Sequence, residues 1–313
     1  MQWGVGLVTA VLALVLGVTL TEGETGYDIW QQLQQMLGFE STAVPVRPTE
    51  GDTALHFIDV GQGDSVLVEQ NGEFCLIDAG TRDCEADLLN YLDSAGVERI
   101  KLLVMTHPHA DHIGSMRAVL RHLPVEQVLL PDFSKADAAP SHTLERVLEE
   151  IAAQQIPTVT AAPGQTYAIG GGTLSVLAAG VNTKNYNDIS PVLRFDGQGL
   201  SFVNTGDGEL AVEEDALAAG VDLAATVFKA GHHGSRTSNT QAFLRAIGPE
   251  YVVISCGQGN SYGHPNTEAL ESYAAVDAKV YRTDQLGNVV ILGTPQGVEV
   301  YTNKNGQEGA QAA

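Results

Sequence analysis

Cysteine is scarce in this chain: its 313 residues include three, at positions 75, 84 and 256. So few exclude a disulfide framework as the source of stability, and a chain of this length does not need one. Cys75 and Cys84 can close a small loop in an oxidising compartment. Cys75 and Cys256 also lie in apolar, strand-like runs, where thiols pack as small hydrophobes. Cationic residues are the second shortage. Sixteen Lys and Arg face 38 Asp and Glu, leaving a formal net charge of −22. That balance excludes a broad polyanion-binding surface outside an active site, so any anionic substrate must be held by metal and a few local donors. Histidine is missing from one long stretch, with none between 143 and 231. No sequence repeat at a fixed short period is present.

Apolar residues make up 44% of the chain, enough to bury one large core or two small ones. Residues 1–22 read as a signal peptide or membrane anchor, an expected hydrophobic helix, because Val5 to Leu20 carry no charge and are nearly long enough to span a bilayer. The leading Met1-Gln2-Trp3 holds no Lys or Arg and no Ala-x-Ala site follows, which favours an uncleaved anchor and an extracellular location. A buried core helix is the competing interpretation. Residues 23–52 are expected to form a short helix, Tyr27 to Gly38, and a polar linker, Ser41 to Asp52. The domain is then expected over 53–301, with a disordered tail over 302–313.

Ala54–Val60, Ser65–Glu69 and Glu73–Asp78, separated by glycine-bearing turns, read as a strand meander. Strands then alternate with helices. The pattern predicts helix over Asp83–Ala95, strand over Lys101–Met105, helices over Met116–His122 and Ser141–Gln155, and strand over Gln127–Leu130. Further strands follow between Thr158 and Asn204. A second alternation runs through helix Glu209–Ala219, strand Ala225–Ala230, helix Thr240–Ile247, strand Tyr251–Ser255 and helix Thr267–Ala275, then closing strands to Tyr301. Two halves with sheet inside and helices outside satisfy this order. The expected class is therefore α/β (α+β), a four-layer αββα sandwich, because hairpins are too frequent for one doubly wound parallel sheet.

Chemistry concentrates after the strands. Thr106-His107-Pro108-His109-Ala110-Asp111-His112-Ile113-Gly114 packs three imidazoles and a carboxylate into six positions behind the apolar run Ile100–Met105. Such crowding needs a shared cation to offset it, and these ligands suit zinc, manganese or iron. Side chains 107, 109, 111 and 112 cannot share one face of a strand or helix, so a loop turning into a helix is expected. His107 and His109 would then serve one metal, and Asp111 with His112 a second.

Asp207 follows the buried run ending at Asn204, where an unpaired carboxylate is costly, and is assigned as the bridge between the ions. Without that company its role would be a helix N-cap. Lys229 to Ser235 adds His232 and His233 between glycines; neighbours on an extended chain diverge, so one ligates while the other hydrogen-bonds, and sequence leaves the order open. Our assignment takes His232 as ligand and His233, with His264, as proton donors. Ser235, with Thr237 and Ser238, is a candidate phosphate donor or a cap of the next helix. His56, His122 and His142 lack such neighbours and read as ordinary core or surface residues.

In order along 53–301, Phe57–Ser65, Leu76–Gly80, the HPHADHIG segment, Asn204–Asp207, Lys229–Ser235, Tyr262–Pro265 and Tyr281–Gln285 resemble the metallo-β-lactamase-fold domain of ComEC-type competence proteins. The resemblance implies an αββα metallo-β-lactamase sandwich, two divalent ions, zinc or manganese, at the sheet edges, and phosphodiester hydrolysis. It matches His107, His109, Asp111, His112, Asp207 and one of His232 and His233 to metal ligands. Asp78 matches the carboxylate that braces the histidine loop, and Asp59 and Asp64 fall in a motif that shapes a loop or supports the metals.

Two departures stand out. Where many relatives of the fold place another His, this chain has Asn185-Tyr186-Asn187-Asp188-Ile189-Ser190, which leaves Asn187 near a metal held with more water and favours manganese. The many-helix channel and nucleic-acid-binding barrel of the competence proteins are not found, so a transport role is not carried over.

The expected mechanism is in-line attack on phosphorus by a hydroxide bridging the two metals, with Asp111, His233 and His264 in the catalytic set. Lys229, Ser235 and Arg282 are expected to steady the phosphate. The expected partners are a phosphodiester substrate, either nucleic acid or a cell-envelope or choline-type phosphodiester, and the membrane through the N-terminal segment. β-Lactam hydrolysis is disfavoured, because an Asp207-type bridge goes with phosphoesters and thioesters in this fold. A non-catalytic tethered binding module is the alternative of a different class.

Overall fold

In the computed structural model, which describes residues 46–303 and 306–307, the meander forms as β1 (Thr53–Phe57), β2 (Val66–Gln70) and β3 (Glu73–Ile77), paired antiparallel. β4 (Leu102–Val104), β5 (Val128–Leu130) and β6 (Thr158–Thr160) then add in parallel. A second sheet of seven strands starts with the antiparallel β7 (Thr166–Ile169), β8 (Gly172–Ala178), β9 (Val192–Asp196) and β10 (Ser201–Asn204). It continues in parallel through β11 (Val227–Lys229), β12 (Tyr251–Ile254) and β13 (Lys279–Arg282). The chain then returns to the first sheet as β14 (Val289–Thr294), β15 (Gly297–Thr302) and β16 (Gly306–Gln307), making nine strands with β14 beside β1.

Period-two alternation decides which side chain faces which layer. Leu55, Phe57, Val66, Val68, Cys75 and Ile77 pack with Phe195, Phe202, Val227 and Val253 between the sheets. The intervening Leu67, Leu76 and Leu103 point the other way, onto α1 (Glu85–Ser94), α3 (Met116–His122) and α4 (His142–Ala153), through Leu88, Tyr91, Val119 and Val147. A four-residue α2 (Ala110–Ile113) precedes α3. On the second sheet Val203, Phe228 and Val252 cover α5 (Leu210–Ala218), α6 (Gln241–Ile247) and α7 (Thr267–Ala274) through Val212, Phe243 and Tyr273. A short α8 (Thr283–Leu286) follows β13. The result is two mixed sheets flanked by helices. Each fully buried Leu, Val or Phe contributes roughly 1.5–3 kcal/mol to holding the layers together.

Some expectations need correction. The helix expected over Asp83–Ala95 divides into a 3-10 turn, Arg82–Cys84, and α1. Cys75 and Cys84 are free, because Cys75 faces the inter-sheet core and Cys84 the helical layer on the other side. The sheet also runs past position 301: Thr302 is buried, and Gly306–Gln307 pair with Tyr301 and Thr302. The end of the linker is held to the domain, with Val46 packed against Ala54, Val290 and Leu292, and the Asp52 carboxylate accepting from Thr49. The hydrophobic segment Val5 to Leu20 and the Tyr27 to Gly38 helix lie outside the described residues. Among the described residues no helix is long and apolar enough to cross a membrane.

Parallel neighbours share a direction, so the carboxyl ends of β3, β4 and β5 open on one edge, as do those of β10, β11 and β12. Loops after such ends are where open α/β sheets place ligands.

Candidate metal centre

The chain leaves β4 extended, with Thr106 and His107 buried, and turns at His109 into α2, so Asp111 and His112 lie on a helix start. His107 and His109 gather with Asp207, and Asp111 and His112 gather with His233 and the same Asp207. The donor atoms within each group lie within 4.8 Å of one another, so Asp207 belongs to both. Its carboxylate stands 3.2 Å from His112 Nε2, 3.7 Å from His107 Nε2 and 3.6 Å from His233 Nε2, while His233 Nε2 is 3.4 Å from Asp111. These paired clusters fit a binuclear metal site.

A second set of groups aims the first. The Asp78 carboxylate accepts from Thr106 N at 2.9 Å and Thr106 Oγ1 at 2.6 Å, and pairs with His112 Nδ1 at 2.8 Å. That contact turns His112 Nε2 inward. Asp64, Asp78 and His112 form a third acid–imidazole group. Asp64 is buried against Lys229 and stands 3.2 Å from His233 Nδ1, which also hydrogen-bonds the Ser255 carbonyl at 3.0 Å. Asp59 shapes the preceding loop: its backbone N–H donates to Asn288, and its carboxylate accepts from Gly61 N.

The structure groups His233, and not the His232 assigned from sequence, with Asp111, His112 and Asp207, while His232 Nε2 stands 3.7 Å from the same Asp207 carboxylate. His232 and His233 both adopt left-handed backbone, with φ of 51° and 54°. They therefore do not diverge as on an extended strand. His233 is buried in the ligand group, whereas His232 sits at the rim, its Nδ1 3.2 Å from Thr237 Oγ1 and 3.4 Å from Glu209. Left-handed conformations in non-glycine residues are strained and persist only where surroundings over-determine them. The constraints here are Asn239, whose side chain bonds Gly231 N, Gly231 O and Ser235 O, and the His232 N–H to Gly206 O bond. Gly206 itself has φ of +52°, and a Cβ there would stand 2.8 Å from Thr106. This close approach brings the Asp207 loop onto the histidine loop.

Electrostatics follow from crowding opposite charges in a dry place. Burial pulls His112 down, but Asp207, Asp78 and Asp64 outweigh it and hold the imidazole well above its usual range. Burial likewise raises Asp207, yet His112, His233 and His107 leave it well below the carboxylate range. His233 is opposed by burial and still lifted to about 9 by Asp207 and Asp64. His107 is pushed well down by burial and by His112, so it is neutral.

Other sequence candidates fall elsewhere. Lys229 is wholly buried in its pair with Asp64, and Arg282 is forked onto Asp284 at 2.7 and 3.0 Å, so neither is presented to a phosphate. Ser235 bonds Thr237 instead of an open cleft. Asn187 donates to Glu209 from a 3-10 turn, Asn187–Ile189. His264 stacks 6.3 Å from His233 and 5.7 Å from Tyr262, so three rings step outward from the buried cluster to a tyrosine that is 67% exposed. Burial, His233 and His232 bring His264 down to about 4, which makes it neutral instead of a proton donor at neutral pH.

His56 is a core residue bonded to Tyr91 and Glu69, and His122 and His142 pair with Asp93 and Glu145. Sequence reasoning missed Thr106, Glu209, Asn239 and the Ser255 carbonyl. Thr106 and Glu209 lie within two residues of assigned ligands, which was a usable signal; Asn239 and Ser255 carried none.

Residues 58–258 match the Metallo-beta-lactamase superfamily. The chain is 28% identical to ComE operon protein 3 of Bacillus subtilis (strain 168) over 265 residues, 78% of this chain and 33% of that protein. It is 32% identical to Competence protein ComA of Neisseria gonorrhoeae over 287 residues, 90% of this chain and 38% of that protein. The chain thus spans about a third of the length of these relatives. Among solved structures, the metallo-beta-lactamase fold protein YhfI from Bacillus subtilis superposes with a TM-score of 0.54 at 12% identity, covering 77% of this chain and all of that one. CmlA from Streptomyces venezuelae gives 0.51 at 16%, covering 75% and 53%. At such identities the likeness shows the fold alone. With residues 58–258 matched and the His/Asp clusters at the sheet edges, the chain belongs to the metallo-β-lactamase superfamily, in a domain related to the ComE operon protein 3 and ComA competence proteins.

Proposed function

We propose that the chain is a metal-dependent phosphodiesterase acting on single-stranded nucleic acid, with one ion held by His107, His109 and Asp207 and a second by Asp111, His112, His233 and Asp207. One observation carries this reading. His112 Nε2, His233 Nε2 and Asp207 Oδ1 are buried, make no hydrogen bond within the described residues and converge on the same few ångströms. Orphaned polar atoms are costly, and a cation satisfies several together. Two divalent ions bound there supply Lewis-acid charge and lower the pKa of water.

The protein's own groups provide aim. Asp78 and the Ser255 carbonyl keep His112 and His233 presenting Nε2, and Asp64 neutralises Lys229 beneath them. His232, bonded to Thr237 and beside Glu209 at the rim, is placed to pass a proton to the leaving oxygen. His264 orients the substrate as a neutral ring.

Nucleic acid is favoured over cell-envelope phosphodiesters by the exposed face of Tyr262, on which a base can stack. The similarity to Competence protein ComA supports the same choice. The net charge of −22 weighs against long duplexes. The uncharged run Val5 to Leu20 supports a position outside the cell, tethered through residues 1–22, which fractionation of intact cells would check.

The test is hydrolysis of bis(p-nitrophenyl) phosphate by the full chain with manganese, zinc or magnesium, followed by oligonucleotides and choline phosphodiesters. Turnover should appear with at least one metal, and Asp207→Asn should lower it at least a hundredfold while the domain stays folded. Equal turnover in that variant, or none with any metal, refutes the reading.

A further inference from the structure

We propose that a cavity of about 700 Å³ on the outer side of α2 is a second anion site, which holds the phosphates of a single-stranded nucleic acid next to the one being cleaved. The inference rests on the phosphodiesterase reading for where the scissile phosphate lies. In a chain this acidic, cationic side chains are the scarce resource, and Lys229 and Arg282 are both committed to buried or forked acid pairs. Four of the sixteen Lys and Arg instead line this one cavity: Arg82, Arg117, Arg121 and Arg146.

Their states differ. Arg117 and Arg121 share Glu150, with Nε to Oε2 distances of 3.1 and 3.5 Å. Arg82 and Arg146 are exposed and make no ion pair among the described residues. Asp83 and Glu85 stand on the same wall, and His122 is taken up by Asp93. Four guanidiniums face those two acids, Glu150 and Asp93, so the cavity is balanced in charge on a molecule of net charge −22, and Arg82 and Arg146 are its uncommitted cations. Planar guanidiniums suit phosphate oxygens better than point charges do.

Position links the cavity to the metal centre. Ala110 and Gly114, which flank the Asp111–His112 pair, line it. Ala110 is exposed, between the half-buried His109 and Asp111. A strand with one phosphate at the His/Asp cluster can therefore pass over the start of α2 and lay its neighbours against the arginines. The His264 side carries Tyr262 as a stacking face and the exposed Arg236, whose backbone N–H donates to Asn266.

The experiment measures fluorescence anisotropy of a hydrolysis-resistant phosphorothioate oligothymidylate with the full-length chain in detergent, across a salt series. The Arg82→Gln/Arg146→Gln variant should bind about tenfold more weakly and show a log–log salt slope smaller by about 1.4, for two single-strand phosphate contacts. Its bis(p-nitrophenyl) phosphate turnover should match wild type, because that substrate reaches only the metal centre. Unchanged affinity and slope overturn the proposal. Competition by inorganic phosphate or thymidine monophosphate as strong as by the oligonucleotide also overturns it, marking a pocket for free phosphate. If wild type lacks turnover altogether, the phosphodiesterase reading fails while the binding data still judge the cavity.

Discussion

At the residue scale, the centre depends on pairs of opposite charge held out of water. Lys229 illustrates the point, since a cation expected to meet substrate is instead the buried counter-ion of Asp64. Removing one partner strands the other in low dielectric, so Lys229→Met should lower unfolding free energy by about 3–5 kcal/mol in urea titration. The double variant with Asp64→Asn should recover much of that loss; full additivity of the two changes would contradict the pairing. Tyr262 belongs to the same scale. Base–aromatic stacking contributes roughly 1–3 kcal/mol per base, so Tyr262→Ala should weaken oligonucleotide binding about tenfold and leave an abasic oligonucleotide unaffected. Equal loss for both ligands would remove its stacking role.

At the element scale, α5 secures the strained histidine turn. Its Glu213 carboxylate is buried and accepts from the backbone of Asn239 at 2.5 Å and Thr240 at 3.0 Å, and Asn239 in turn bonds the backbone on both sides of His232 and His233. Burial raises the Glu213 pKa above its usual 4.5, with the bonds from Thr240 and Asn239 offsetting only part. A raised carboxyl binds its proton more tightly in the native state, so its stabilising contribution is present below 4.5 and lost as pH climbs through the raised value. Glu213→Gln mimics the protonated form. Its Tm relative to wild type should therefore rise as pH is taken upward from 4.5, and a pH-independent difference would contradict this account.

For the whole molecule, the two sheets meet at the metal loops, with Asp78 and the HPHADHIG segment from one and Asp207 and His233 from the other. Ions held by these residues would bind the native state and not the separated sheets. At a metal concentration about a hundredfold above Kd this linkage adds about 2.7 kcal/mol. Chelation should lower Tm, re-addition of manganese or zinc should restore it, and Asp207→Asn should abolish the difference. A chelator-insensitive Tm in wild type would contradict bridging.

Much of this was legible beforehand, and the reason is local. Period-two apolar runs placed the strands, and apolar runs ending in His or Asp marked the edge where chemistry gathers, because burial and alternation are properties of neighbouring residues. The ordered motifs from Phe57 to Gln285 carried the family. Tertiary structure alone decided the rest. Which of His232 and His233 turns inward depends on two left-handed residues held by Asn239 and Gly206. Which cations are committed depends on partners far apart in sequence, Asp64 for Lys229 among them. That four arginines share one cavity follows only from the packing of α3 and α4 beside the 3-10 turn. Sequence spacing records what adjacent residues want; long-range contacts determine which of those wants are met.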